Sequence, residues 1–306
     1  MELSVVVPTL NARRRLARVL DALDTRLPDV EVVVVNGPSS DGTSGLVRDH
    51  PAVDVLLELP ERNINASRNA GLAAASGDVV AFVDHRSVVR EEWYDALAAA
   101  IETGADVVTG PVHRAVSGGV TTEECERETV AGRDVRYFDG GNVAFTRAAA
   151  DALDGFDEYL ETGAARDAAH RLAGLDLRVA WKPAFAVLRA EGDDVPDRVA
   201  ETPDGSATGL KYRALGYRLA KNYGLSPPVA WRAVTHALRE AGTAARNVLG
   251  GDETPSSWLS RGRAVVANAA AGVEDGLRAR RRDRTPTRNP NGVSSRMDRA
   301  MSRYDP

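Results

Sequence analysis

The chain has 306 residues, enough for one large or two medium domains, and 43% hydrophobic residues give it a sizeable core to bury. Its single cysteine, Cys125, excludes an internal disulfide and a cysteine-based zinc site. No apolar run approaches the roughly 18–20 residues of a membrane span, and the opening Met1-Glu-Leu-Ser has no signal-peptide pattern.

The net charge of −5 hides an asymmetry. Residues 1–206 carry 21 Lys/Arg against 36 Asp/Glu, and residues 207–306 carry 18 against 8, so the sign of the charge reverses near residue 206. Lysine occurs only at 182, 211 and 221. Such an acidic, lysine-poor body suits a high-salt cytoplasm or a GC-rich genome. The arginine-rich end has no recognition motif and few interleaved aromatics, so nucleic acid is not an expected partner.

In chain order, Leu3 to Val7 is an apolar strand closed by Pro8-Thr9-Leu10-Asn11. Leu16, Val19, Leu20 and Leu23 recur at helical spacing and predict the first helix. Val30 to Val35 is the next strand, ending at Asn36-Gly37, with Asp41 or Ser40 as a cap for the helix that follows. Val53 to Leu59 is a third strand, and 63–75 a helix containing Arg68-Asn69-Ala70-Gly71. Val79 to Val83 is a continuous apolar run, read as a strand buried on both faces of a parallel sheet. It opens into Asp84-His85-Arg86, the place past a strand's carboxyl end where open α/β sheets hold their ligands. A helix over 91–102 and a strand over 106–112 follow. Residues 115–136 read as a charged loop, 143–146 as a short strand, 166–174 as a helix, and 177–181 and 185–188 as edge strands. This rhythm predicts an α/β fold with a mostly parallel sheet and flanking helices.

Beyond 206 the pattern is helical only. One apolar stripe is Tyr212, Leu215 and Leu219. Another is Trp231, Val234, Leu238, Ala241 and Val248, flanked by Arg232, Arg239 and Arg246. These stripes either lie in an anionic membrane interface or pack on the preceding domain. A third helix is expected from Pro255 to Leu277, and a disordered basic tail beyond it. The expected layout is therefore a domain over 1–206, a basic amphipathic helical extension over 207–279, and a tail over 280–306.

The motifs in order resemble a family 2 inverting glycosyltransferase with the GT-A (Rossmann-like) nucleotide-sugar fold. They are Val5-Val-Val-Pro-Thr-Leu-Asn11, Ser39-Ser-Asp-Gly-Thr43, Ser67-Arg-Asn-Ala-Gly71, Gly77-Asp through Asp84, and Gly140-Gly-Asn through Arg147, followed by Asp154-Gly-Phe-Asp157. The resemblance covers roughly residues 1–190. It implies a nucleotide-sugar pocket built from Pro8, Thr9, Leu10, Asn36, Arg68, Asp84, Arg86 and Asn142. It implies Asp167 as general base with Arg166 beside it, and Glu161 or Asp157 as the next candidates. The alternative is that Asp167 is a surface acid paired with Arg171 one helical turn on.

Within the family, the chain is similar to archaeal members that extend a dolichol-phosphate-linked glycan in surface-glycoprotein N-glycosylation. The partners so implied are a UDP-linked sugar, a lipid-linked glycan acceptor and the cytoplasmic face of the cell membrane, where the protein would be peripheral. A non-catalytic, nucleotide-binding or scaffolding relative is the alternative.

Three departures from the family pattern bear on chemistry. Asn36 and Gly37 stand where acids usually read the base. Arg86 replaces the second acid of Asp-x-Asp, a ligand of the family's Mg2+ or Mn2+. Leu188 and Arg189 stand where many relatives have a metal-binding histidine. A divalent ion, if used, would rest on Asp84, and metal dependence stays open. Arg86 either bonds phosphate oxygens in place of the metal or turns outward to Glu91 or Glu92. Arg86 and Arg166 together suggest an anionic donor sugar, a hexuronic acid.

Overall fold

The computed structural model describes residues 1–116, 119–121, 123–189, 206–225, 255–296 and 301–305. The second apolar stripe, Trp231 to Val248 with its arginines, lies outside the described residues.

The first half alternates strands and helices: β1 (Leu3–Thr9), α1 (Arg13–Arg26), β2 (Glu31–Asn36), α2 (Thr43–Arg48), β3 (Val55–Glu58), α3 (Ile64–Ala74) and β4 (Val79–Val83). Then come β5 (Ser87–Val89), α4 (Trp93–Glu102), β6 (Val107–Thr109), β7 (Val112–Val116), β8 (Gly119–Val120), β9 (Arg127–Val130), β10 (Arg133–Arg136) and β11 (Asn142–Thr146). The rest is α5 (Arg147–Leu153), α6 (Ala164–Gly174), β12 (Val179–Trp181), β13 (Val187–Arg189), α7 (Ser206–Tyr223), α8 (Pro255–Arg282) and β14 (Ser302–Tyr304). The main sheet has eight strands in the order β12-β6-β11-β4-β1-β2-β3-β14. Strands β1 to β4 run parallel, and β11 is antiparallel to both β4 and β6. A smaller sheet, β5-β13-β7-β8, stands beside it.

The central strands read as unbroken apolar runs because both faces are covered. Val6, Val33, Val35, Val80 and Phe82 enter one core with Ala70 and Leu72 of α3. Val5, Val7, Val32, Val34, Ala81 and Val83 enter the other, with Leu16, Leu20 and Leu23 of α1 and Trp93 and Leu97 of α4. Burying each large apolar side chain contributes about 1.5–3 kcal/mol. Helix α3 lies hard against β1: a Cβ on Gly71 would sit 2.3 Å from Val6 Cγ1, so only glycine permits this approach.

Several elements differ from the sequence expectation. The strand expected over 106–112 is divided at Gly110-Pro111, because a Cβ on Gly110 would meet the Phe185 carbonyl at 2.0 Å and the chain changes sheet there. The charged stretch within 115–136 contains the hairpin β9–β10. The region expected to be a disordered tail is ordered over most of its length. Helix α8 runs to Arg282, a 3-10 turn follows at Val293–Ser295, and β14 extends the main sheet antiparallel to β3. Asparagines hold this return: Asn289 donates to the carbonyl of Asp154 (2.7 Å) and Asn291 to the Asp157 carboxylate (2.9 Å). Composition misses such an arm because it is held by polar bonds rather than by an apolar stripe. Tyr212 and Leu219 of α7 are both 3% exposed, so this part of the first stripe packs inside the protein and offers no membrane face. No helix among the described residues is long and apolar enough to cross a membrane.

Candidate active site

The parallel register sets Thr9 at the end of β1 opposite Asn36 at the end of β2, and β4 delivers Asp84 beside them. These three strand ends lie together at the sheet's carboxyl edge, the place where open α/β sheets hold their ligands. Thr9 Oγ1 is buried and has no hydrogen-bond partner among the described residues. Asn36 accepts from Ser39 Oγ (2.7 Å) and donates to Ser44 Oγ (2.9 Å). Leu10 is half-buried at the rim, and the Pro8 carbonyl accepts from His85 Nδ1 (3.2 Å).

Asp84 is 7% exposed and surrounded by cations. Arg86 reaches it three times: backbone N to Oδ1 (2.9 Å), Nε to Oδ1 (3.0 Å) and Nη2 to Oδ2 (3.1 Å). Arg189, at the end of β13, stands 3.7 Å from Asp84 and 3.7 Å from Asp139, and its Nε donates to Ser87 Oγ (3.3 Å). Burial pushes the Asp84 carboxyl up, but Arg86, His85 and Arg189 outweigh it and hold the group well below the usual carboxylate range. Asp84 therefore stays ionised, and the outward alternative for Arg86, pairing with Glu91 or Glu92, is not what forms.

The loop 137–141 makes the opposite wall. A Cβ on Gly141 would fall 2.6 Å from the Asp84 Cβ, so this residue must be glycine for the loop to lie against β4. Its neighbour Gly140 faces the Arg68 guanidinium. Arg68 comes from α3, where Asn63 caps the first turn through its Oδ1 (2.9 Å to the Asn65 N–H). Its guanidinium lies 5.0 Å from the Phe156 ring centroid and donates to Asn65 Oδ1 (3.0 Å).

Asn142 plays a different part from the expected nucleotide contact. It is fully buried, accepts from Trp93 Nε1 (3.0 Å) and donates to the carbonyls of Gly110, Pro111 and Phe185. Its amide joins the two sheets, and its N–H donors are taken up by protein carbonyls.

Asp167 is also placed away from the expected role. It sits in the first turn of α6 with 0% exposure. Oδ2 accepts from Arg171 Nε (2.8 Å) and Lys221 Nζ (2.7 Å), and Oδ1 accepts from Asn222 (2.9 Å). Burial pushes its carboxyl up, yet Lys221 and Arg171 hold it at about 2. A general base has to meet the acceptor, and this carboxylate meets only the protein. Asp157 shares Lys221 (2.6 Å) and is equally buried. Glu161 is exposed, beside a small cavity lined by Tyr159, Thr162, Leu210 and Arg213. Arg166 is bound to Glu126 (2.6 and 2.9 Å) and lies 4.5 Å from the Tyr137 ring centroid.

The divalent ion that the resemblance implies does not fit these side chains. Arg86 holds both oxygens of Asp84, and a second cation stands 3.7 Å away. No cluster of three His, Cys, Asp or Glu with metal-holding geometry occurs among the described residues. Arg189 entered the sequence reading only as the residue standing in for a metal-binding histidine, and its place beside Asp84 was missed. Its signal was its place directly after the last edge strand.

Residues 4–151, the segment from β1 into α5, match Glycosyl transferase family 2, and the chain shares the GT-A fold. Over 129 residues the chain is 29% identical to glycosyltransferase AglE of Haloferax volcanii, covering 40% of this chain and 42% of that one. Over 125 residues it is 32% identical to the dolichol-phosphate mannosyltransferase of Pyrococcus furiosus, covering 39% and 35%. The chain thus spans less than half the length of either curated relative. The S. aureus TarS 1–349 structure in complex with UDP-GlcNAc shares the fold, with a TM-score of 0.61 at 18% identity over 92% of this chain and 91% of that one.

Proposed function

We propose that this protein transfers a sugar from a nucleotide diphosphate donor to a lipid-linked acceptor by inverting displacement. The carrying observation is the pair of guanidinium groups, Arg86 and Arg189, on Asp84 at the end of β4. A leaving diphosphate must be stabilised as charge develops on it. Fixed cations at a strand end supply that stabilisation without a metal, and a guanidinium fork bonds two phosphate oxygens at once. Thr9 and Asn36 line the same edge and would meet the nucleoside. Arg68, with its guanidinium at Gly140, would meet the donor from the opposite wall.

Support for the finer reading is of three kinds. The UDP-GlcNAc complex of TarS and the name of the Pyrococcus relative point to a UDP-linked donor and a dolichol phosphate type of acceptor. The likeness to AglE, together with the acidic, lysine-poor body, supports surface glycosylation in a halophilic archaeon, with the protein peripheral on the inner membrane face. A hexuronate donor rests on the excess of cations, Arg86, Arg189 and Arg68, over Asp84 and Asp139 around the crevice.

A binding-only relative is the second reading, and the saturation of Asp167 favours it. A panel of UDP- and GDP-sugars with a prenyl-linked acceptor, followed by released nucleoside diphosphate in the presence of chelator, separates the two. The transferase reading expects turnover with at least one donor. Nucleotide binding without turnover across the panel assigns the binding-only role.

A further inference from the structure

Inverting displacement needs a carboxylate that takes the proton of the attacking hydroxyl. Asp157 and Asp167 are fully buried among their own partners and meet no acceptor. The loops that leave β2, β3 and β4, and the loop that enters β11, each bring one acid toward the sheet's carboxyl edge: Asp41, Glu61, Asp84 and Asp139. Three of these are committed. Asp41 accepts at both oxygens, from the Thr43 N–H (3.1 Å) and the Arg13 N–H (3.1 Å). Glu61 pairs with Arg296 of the C-terminal arm, and Arg86 holds both oxygens of Asp84.

Asp139 is different. Its side chain is 41% exposed. Oδ1 accepts from the Gly141 N–H (2.7 Å), which fixes the shape of the loop. Oδ2 accepts no hydrogen bond among the described residues, because the nearest cation, Arg189, stands 3.7 Å away, beyond hydrogen-bond length.

The register places this open oxygen at the end of β4. Strand β11 runs antiparallel to β4 with Asn142 opposite Val83, so the residues just before β11 lie beside those just after β4. The Asp84 N–H donates to the Gly141 carbonyl (3.0 Å). A single atom, Arg189 Nη2, is 3.7 Å from Asp84 Oδ2 and 3.7 Å from Asp139 Oδ2.

We propose that Asp139 is the general base of the transfer, a role that rests on the transferase reading. Oδ2 takes the proton of the acceptor hydroxyl as the hydroxyl oxygen bonds to the anomeric carbon of the sugar. The bond from that carbon to the diphosphate oxygen breaks, and its electron pair leaves on the diphosphate, where Arg86 and Arg189 stabilise it. The proton then passes from Asp139 to water. Arg189, standing between the two carboxylates, keeps the leaving group on the Asp84 side and the acceptor on the Asp139 side.

The discriminating variant is Asp139→Asn, because its side-chain carbonyl can still accept from the Gly141 N–H and only the proton acceptor is lost. The assay uses the full chain, the prenyl-linked acceptor and a UDP- or GDP-sugar that the parent turns over, with UDP titrated separately. The expected result is kcat lowered at least about 100-fold, with donor KM and UDP affinity within about threefold of the parent. Should Asp139→Asn not fold, Asp139→Ala serves, with and without formate as a replacement carboxylate: turnover regained with formate keeps the proposal, and none regained sinks it. Near-native kcat in Asp139→Asn overturns it. So does UDP affinity that falls in step with turnover, which assigns Asp139 to holding Arg189 in place. Absence of turnover in the parent across the donor panel is the separate failure of the transferase reading, and it removes the base as well.

Discussion

Two acid–base clusters in this protein contain the same ingredients and do opposite things. At the crevice, Asp84 meets Arg86 and Arg189, whose side chains remain 11% and 12% exposed, and the Arg189 contacts are long at 3.7 Å. Beneath α7, Asp157 and Asp167 share Lys221, with Arg171, Tyr217, Asn222 and Asn291 completing the shell, and the four charged side chains are 0% exposed. The first cluster remains partly exposed at the strand ends, whereas the second is fully buried and saturated. A carboxylate with a perturbed pKa therefore marks a ligand site only where solvent or substrate can still reach its partners. In the deep cluster the perturbation marks the bolt that fastens α7 to α6 and to the turn after α5.

The largest effect should come from unbalancing the bolt. Lys221→Met leaves two buried carboxylates facing each other, and removing one partner of a buried pair costs about 3–5 kcal/mol. Urea unfolding should show a loss of that size. Asp167→Asn keeps Lys221 paired with Asp157 but leaves the buried Arg171 guanidinium with carbonyl partners only, so a loss of similar size, about 3–5 kcal/mol, is expected. The sequence reading of Asp167 as base predicts a different outcome for this variant: an unchanged fold and transfer lowered by about two orders of magnitude.

Next comes the crevice. Arg86→Ala should weaken UDP binding about 10- to 100-fold in titration, while costing less than half of the stability lost in Lys221→Met. Arg86→Lys should recover binding only in part, because it restores charge without the fork.

Acid separates the clusters from the rest of the fold. Asp84 and Asp167 both have folded values depressed below their ordinary ones, Asp167 to about 2. Groups of this kind contribute stability above the unfolded pKa of about 4, which is lost as pH falls through the folded value. Buried His170, held down at about 3, stays neutral while the unfolded imidazole protonates, so unfolding free energy should begin to fall below about pH 6.5 and drop more steeply between about pH 4 and 2.

The smallest effect belongs to the C-terminal arm. Arg296 pairs with Glu61 and Glu158 at a half-exposed position, and Arg296→Ala should cost no more than about 1 kcal/mol in the same assay.

The contrast also explains what the sequence could and could not reveal. Val79 to Val83 and the stripe Leu16, Val19, Leu20, Leu23 are local patterns whose burial follows from periodicity, so the sheet and the position of Asp84 were legible. The Arg86–Asp84 pair was within reach, since the residues are two apart. Lys221 is 54 residues from Asp167 and 64 from Asp157, and no local pattern announces such a meeting. The pairing of Asp167 with Arg171, one turn on, was legible and forms; its meeting with Lys221 and Asn222 was not. Asn142 misled for the same reason, because Trp93, Gly110 and Phe185 reach it from three distant segments. The arm ending in β14 was hidden by its polar composition, which its pairing with β3 tolerates because an edge strand is held mainly by backbone bonds.

The central claim is that fixed guanidinium groups at the end of β4 hold the donor's diphosphate in place of a metal. The most direct measurement is calorimetric titration of UDP and GDP into the full chain in excess chelator, repeated with Arg86→Ala and Arg189→Ala. The account predicts that at least one nucleotide binds the parent with an affinity unchanged by chelator, and that each variant loses at least tenfold. Binding that vanishes in chelator and returns with added Mn2+ or Mg2+ would contradict it.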